Sequence, residues 1–168
     1  MKRIMILNGA ARKNGSTVSL VRAFTEGAVS AGNTVTEFYL QDMTIHGCMG
    51  CRACKKDANP CAQHDDMDRI YEAFYDTDVV VFASPVYFGS ITGPMKTAGD
   101  RLYALANTLG KEKFARDSVL LMTAGSPMYE QSLAWYAMYS TYNGWHDIGT
   151  VLGAGKEEEA RALGASIR

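Results

Sequence analysis

Residues 78–84, Asp-Val-Val-Val-Phe-Ala-Ser, form an unbroken β-branched and apolar run. A strand that alternates polar and apolar residues needs cover on one face only. An unbroken run needs cover on both, as the inner strands of parallel sheets do. This constrains the chain more than any other feature, because the rest of the sequence must supply helices to two faces.

The rest reads that way. Residues 3–8 (RIMILN) and 117–124 (DSVLLMTA) are further apolar strands, 34–40 (TVTEFYL) alternates, and 146–152 (HDIGTVL) is a last strand weakened by Gly149. Between them lie helical patterns. In 16–31, Leu20, Phe24 and Ala28 recur at i, i+4 and i+8, and Gly32-Asn33 closes the stripe. In 67–76, Met67, Ile70 and Phe74 share a face behind a cap at Asp65-Asp66. Thr92-Gly93-Pro94 opens a helix to about Asn107, with proline in the first turn where no N–H is needed. Residues 128–142 and 156–166 complete the set. Strand and helix thus alternate five times, which predicts an α/β fold with a doubly wound parallel sheet. One domain is expected over 1–168, with a cysteine-rich insertion at about 44–64.

In such folds ligands lie beyond the C-terminal ends of the strands. The loop after strand 1, Gly9 to Thr17, opens a helix and carries Arg12, Asn14, Gly15, Ser16 and Thr17. Free N–H groups and the partial positive charge of a helix start suit a phosphate, with Ser16 as N-cap. Neither G-x-G-x-x-G nor a P-loop is present, which disfavours dinucleotides and Mg-ATP. The loop after strand 3 holds Ser84, Pro85, Val86, Tyr87, Phe88 and Gly89, an aromatic choice that suits a planar ligand or a neighbouring subunit. After strand 4, Thr123, Ala124 and Gly125 allow close backbone approach. Phosphate site, flat site and close wall together fit FMN. The cofactor then carries the chemistry and no catalytic side chain is needed. No Ser-His-Asp spacing, H-E-x-x-H or paired-carboxylate motif occurs.

All four cysteines fall between positions 48 and 61, in the pattern C-x2-C-x2-C-x6-C formed by Cys48, Cys51, Cys54 and Cys61. Thiolates at this spacing suit an iron–sulfur cluster. Zinc sites favour two separate C-x2-C knuckles, and free or disulfide-forming thiols are the third reading. Arg52, Lys55 and Lys56 favour thiolates. His46 and His64 flank the run and read as bystanders. The aromatics Tyr129, Trp135, Tyr136, Tyr139, Tyr142 and Trp145 exceed one helix face, so part of them reads as an oligomer interface or a flavin-pocket wall.

These motifs resemble the NADPH-dependent FMN reductase family of flavodoxin-like proteins, and within it the iron–sulfur flavoproteins, over nearly the whole chain. The resemblance implies a three-layer sandwich with strand order 2-1-3-4-5. It implies FMN phosphate held by Arg12, Ser16 and Thr17 with the backbone of Asn14 and Gly15. It implies ring contacts from Pro85 to Phe88 within Ser84–Gly89, a third flavin loop at Thr123–Gly125, and a [4Fe–4S] cluster on the four cysteines. Ala10 replaces a serine frequent in the family, a loss of about 1 kcal/mol in hydrogen bonding. The region after Gly153 is short against the family pattern. The implied function is an oxidoreductase moving electrons between ferredoxin or NAD(P)H and a small-molecule or protein acceptor, as a homodimer or homotetramer. The alternatives are a cluster-free NAD(P)H-dependent FMN, quinone or azo reductase, and a non-catalytic flavodoxin-like carrier.

With a net charge of −1, no nucleic-acid or anionic-membrane partner is expected. The apolar run behind Met1 is too short for a signal segment or a membrane span, so a cytoplasmic location is expected.

Overall fold

The computed structural model describes residues 1–56 and 60–168. It contains strands β1 (Arg3–Asn8), β2 (Thr34–Tyr39), β3 (Val79–Pro85), β4 (Asp117–Thr123) and β5 (His146–Leu152). They form one parallel sheet in the order β2-β1-β3-β4-β5, that of flavodoxin-like doubly wound folds.

Register explains why the inner strands carry no polar face. Leu7 pairs with Phe82 and Phe82 with Leu120, a row that joins one core. The next row, Ile6, Val81 and Val119, joins the other. Helices α1 (Ser16–Ser30) and α7 (Glu157–Ser166) cover the second row. The first row lies under α2 (Met67–Tyr75), α3 (Gly93–Arg101), α4 (Tyr103–Leu109), α5 (Lys111–Phe114) and α6 (Glu130–Asn143).

Two differences from the sequence reading have physical causes. The helix expected to run on to Asn107 is broken at Leu102 into α3 and α4. At that break the Arg101 carbonyl accepts a hydrogen bond from the buried Tyr71 hydroxyl (3.0 Å), a side chain inserted into the helical ladder. At the start of α1 the N-cap is Gly15, in extended conformation, and Ser16 is the first helical residue. In the aromatic helix α6, Tyr136 is buried, whereas Met138 and Tyr142 are exposed. No helix among the described residues is long and apolar enough to cross a membrane.

Helices α1 and α7 pack backbone to backbone through two glycines. A Cβ on Gly27 would collide with the Arg161 carbonyl, and one on Gly164 with the Phe24 carbonyl. Gly164→Ala therefore lowers stability by about 1–3 kcal/mol despite alanine's better helix propensity. A lower urea midpoint with an unchanged slope is the expected result.

Candidate functional site

The loops after β1, β3 and β4 converge at one end of the sheet on a cleft of about 180 Å³. Arg12, Gly15, Ser16 and Thr17 line it from the first loop, Pro85, Val86 and Tyr87 from the second, and Thr123, Ala124 and Gly125 from the third. Close contacts fix the three loops to one another. The buried Thr17 and Thr123 hydroxyls share a hydrogen bond of 2.6 Å, and the Val86 N–H donates to the Thr123 carbonyl at 2.7 Å. Thr92 Oγ1 donates to the Gly9 carbonyl at 2.8 Å, so close that a Cβ on Gly9 would lie 2.7 Å from that oxygen. The first turn of α1 holds no acidic residue and no side-chain cap, which leaves its N–H groups to the cleft. Lys13 is ion-paired with Asp42, so Arg12 is the cation that lines the cleft.

Asn14, Ser84, Phe88 and Gly89 are not among the residues that line this cleft. Asn14 is exposed on the loop. Ser84 is fully buried; its hydroxyl donates to the Pro85 carbonyl (2.9 Å) and accepts from the Thr92 N–H (3.1 Å), so it shapes the loop. Phe88 and Gly89 form a tight turn closed by paired hydrogen bonds between Tyr87 and Ser90. Both have positive φ, +50° and +76°, as a type I′ turn requires. A phenylalanine there is strained, and its ring is fully exposed. Ser132 pins the turn by donating to the Gly89 carbonyl at 3.3 Å. Ala10, Ala11 and Ala154 also line the cleft. Ala154 escaped sequence reading, although the small Gly-Ala-Gly run after β5 was a signal of close approach.

The cysteine segment leaves β2 at the same end of the sheet but lies against α3 and α4. Cys48, Cys51, Cys54 and Cys61 line a single cavity of about 360 Å³, together with Lys55, Arg101 and Tyr103. All four are free thiols, Cys48 and Cys51 exposed, Cys54 and Cys61 half-buried. The Gly50 N–H points at Cys48 Sγ and the Gln63 N–H at Cys61 Sγ, each at 3.5 Å. Burial, followed by the charges of the Cys61, Cys48 and Cys51 thiolates, pushes the Cys54 thiol up. Among the described residues no three His, Cys, Asp or Glu side chains are disposed to hold one metal ion. The cavity and the cleft share no lining residue.

Sequence reading missed the group that closes this segment. Arg101 and Asp65 form an ion pair at 2.8 Å, with side chains 1% and 3% exposed. Arg101 also donates to the His46 carbonyl (2.8 Å), the Gln63 carbonyl (3.2 Å) and the Tyr71 hydroxyl (3.3 Å). Asp65 accepts from the N–H groups of His46 (2.9 Å) and Met67 (3.0 Å), so the expected helix cap is also half of the pair. Burial pushes the Asp65 carboxyl up, but the Arg101 guanidinium and the two N–H groups outweigh it and hold it below its ordinary value. Burial likewise opposes the Arg101 charge, and Asp65 and Tyr71 more than offset this. The sequence signal was Arg101 at helical spacing with Ala98, Leu102 and Leu105, on the face that the apolar residues mark as buried.

A sequence profile described as NADPH-dependent FMN reductase matches residues 2–158. The chain belongs to this family. Family members similar to it include an iron–sulfur flavoprotein of Archaeoglobus fulgidus, 33% identical over 129 residues, covering 76% of this chain and 57% of the relative. Another, from Methanocaldococcus jannaschii, is 33% identical and covers 59% of this chain and 51% of the relative. The matched stretch thus spans about half to three-fifths of these curated relatives. The fold is shared with an NAD(P)H:quinone oxidoreductase of Methanothermobacter marburgensis, at TM-score 0.77 and 17% identity over 98% of this chain and 94% of that one.

Removing Arg101 alone strands a buried carboxylate. Arg101→Met is expected to cost about 3–5 kcal/mol in chemical denaturation. The depressed Asp65 pKa sets the pH dependence. Its stabilisation is fully present above the ordinary value of 3.8 and is lost as pH falls through the lower folded value. Titrating stability from pH 7 downwards, the gap between wild type and Asp65→Asn stays constant to about pH 4 and then closes.

Proposed function

We propose that the protein is an FMN-dependent oxidoreductase of the iron–sulfur flavoprotein kind. The observation that carries the reading is the pairing of two separate sites on one small fold: a phosphate-and-ring cleft, and a cavity lined by four thiols. Arg12 and the N–H groups of α1 would hold the FMN phosphate. Pro85, Val86 and Tyr87 would wall one side of the ring, and the small Ala124-Gly125 backbone would approach it from the other. When bound, FMN supplies the hydride and electron chemistry. The protein's share is binding, orientation and exclusion of water. No acid–base pair is required from it.

The four cysteines would hold a [4Fe–4S] cluster. Support comes from four thiols that line one cavity and from their C-x2-C-x2-C-x6-C spacing, in which the middle cysteine belongs to both close pairs, unlike two separate zinc knuckles. The Gly50 and Gln63 N–H groups aimed at Cys48 and Cys61 are of the kind that hydrogen-bond to the sulfurs of such clusters. The electron donor would be ferredoxin or NAD(P)H, and the acceptor a small molecule or protein. A homodimer or homotetramer would cover the exposed Met138 and Tyr142. A cluster-free NAD(P)H-dependent flavin, quinone or azo reductase is the second reading, favoured by the exposure of Cys48 and Cys51.

Anaerobic purification with a visible spectrum and iron and sulfide assays decides between them. Flavin bands with about four irons per chain are expected. Flavin bands without iron would establish the second reading, and no flavin even after FMN addition would sink both. In the same preparation Arg12→Ala weakens FMN about tenfold to a hundredfold, the worth of a hydrogen bond to a charged group. Quenching of flavin fluorescence on titration measures it.

A further inference from the structure

Arg101 does something for the cysteine segment that a stabilising side chain need not do. Its two terminal nitrogens reach the backbone on both sides of the cysteine run, Nη1 to the His46 carbonyl at 2.8 Å and Nη2 to the Gln63 carbonyl at 3.2 Å. The first lies before Cys48 and the second after Cys61. Asp65 grips the same two nitrogens at 2.8 and 3.2 Å and takes the His46 N–H as well. Outside this clasp, the Thr44 and Asp66 backbones are joined by the Asp66 N–H to the Thr44 carbonyl (3.1 Å), and the Thr44 N–H donates to Asp66 Oδ2 (2.7 Å). Arg101 then lines the cavity that the four cysteines share.

We propose that Arg101 is the positioning residue of the four-thiol site: its planar fork, oriented by Asp65 and Tyr71, fastens both ends of the cysteine segment so that the four thiols share one cavity before any metal arrives. An apolar pair of similar size would fill the same space and commonly stabilises a core as well. It would not hold two carbonyls, and neither would a lysine, which offers a point charge rather than a fork. Closing a loop costs conformational entropy that grows with its length. The fastener meets that cost in the folded chain, so ligand binding does not. Side chains that orient metal ligands without touching the metal typically change metal affinity tenfold to a hundredfold. The inference rests on the reading of the cysteines as ligands, but proximity of the thiols is testable without metal.

The test uses the full chain, Arg101→Met/Asp65→Leu, and Arg101→Lys. The double variant removes both charges, so neither is left buried alone. FMN binding checks the fold, because the flavin cleft shares no lining residue with the thiol cavity. Two quantities are read: bridging of thiols by phenylarsine oxide in metal-free protein, and the rate of iron loss to a chelator after anaerobic reconstitution with iron and sulfide. Expected are efficient bridging in wild type, weak bridging in both variants, and iron loss about ten to a hundred times faster in both. Should the double variant fail to bind FMN, Arg101→Lys carries the comparison. Variants that bridge and keep iron like wild type overturn the proposal, as does full rescue by lysine, which would assign the effect to charge. Poor bridging in wild type overturns it too. If wild type bridges but takes up no iron and sulfide, the cluster reading fails while the bridging comparison still decides the role of Arg101.

Discussion

Two-sided burial of β3 is the constraint from which the rest of the structure follows. Val79, Val81 and Ala83 face one core and Val80 and Phe82 the other, all fully buried. Neither face can be left to solvent, so helices must lie on both, and right-handed crossovers then wind the chain outward from the centre in two directions. The reversal falls between β1 and β3. Loops leaving these strands part to opposite faces and open a crevice between them. The cleft is therefore a by-product of how an unbroken apolar strand gets covered. What the sequence adds is its lining: small residues and an uncapped helix start on one side, Pro85, Val86 and Tyr87 on the other.

The helix α3 joins the two sites mechanically. Thr92, just before it, bonds the Gly9 carbonyl in the loop after β1, which lines the cleft, and Arg101 at its far end clasps the cysteine segment. From Gly93 to Arg101 a helix rises about 12 Å. Met95, Ala98 and Leu102 along this rod are fully buried against the sheet. A rod packed this way keeps the distance between cleft and cavity constant within one chain.

Most of the fold was legible because it rests on periodicity. The strands 3–8 and 146–152 have the bounds expected of them, and the unbroken runs identified the inner strands. The cleft was legible because its lining lies in the loops that follow β1, β3 and β4, where the alternation of strands and helices places a ligand crevice. Two kinds of feature were not. The break at Leu102 depends on a hydroxyl from α2, a contact between residues 71 and 101 that no local pattern records. The inward turn of Ser84 is similar: hydroxyls near a ligand loop and hydroxyls that shape it look alike in sequence, and only the Thr92 N–H separates them.

The Arg101–Asp65 pair belongs to the same class of hidden features, and its chemistry shows what such a pair offers that an apolar one does not. Two desolvated charges give little net stability compared with apolar side chains of the same size. Their advantage is direction. An ionised guanidinium offers five donors in one plane, and here they meet a carboxylate, a phenol and two carbonyls from three parts of the chain. Among the described residues between β2 and α2, the two single turns at Leu40–Asp42 and Ala53–Lys55 are the regular structure, and no ladder fixes this segment. Hydrophobic contacts alone would hold it near the protein in many arrangements. Hydrogen bonds from one rigid side chain select a single arrangement, the one in which four thiols share a cavity.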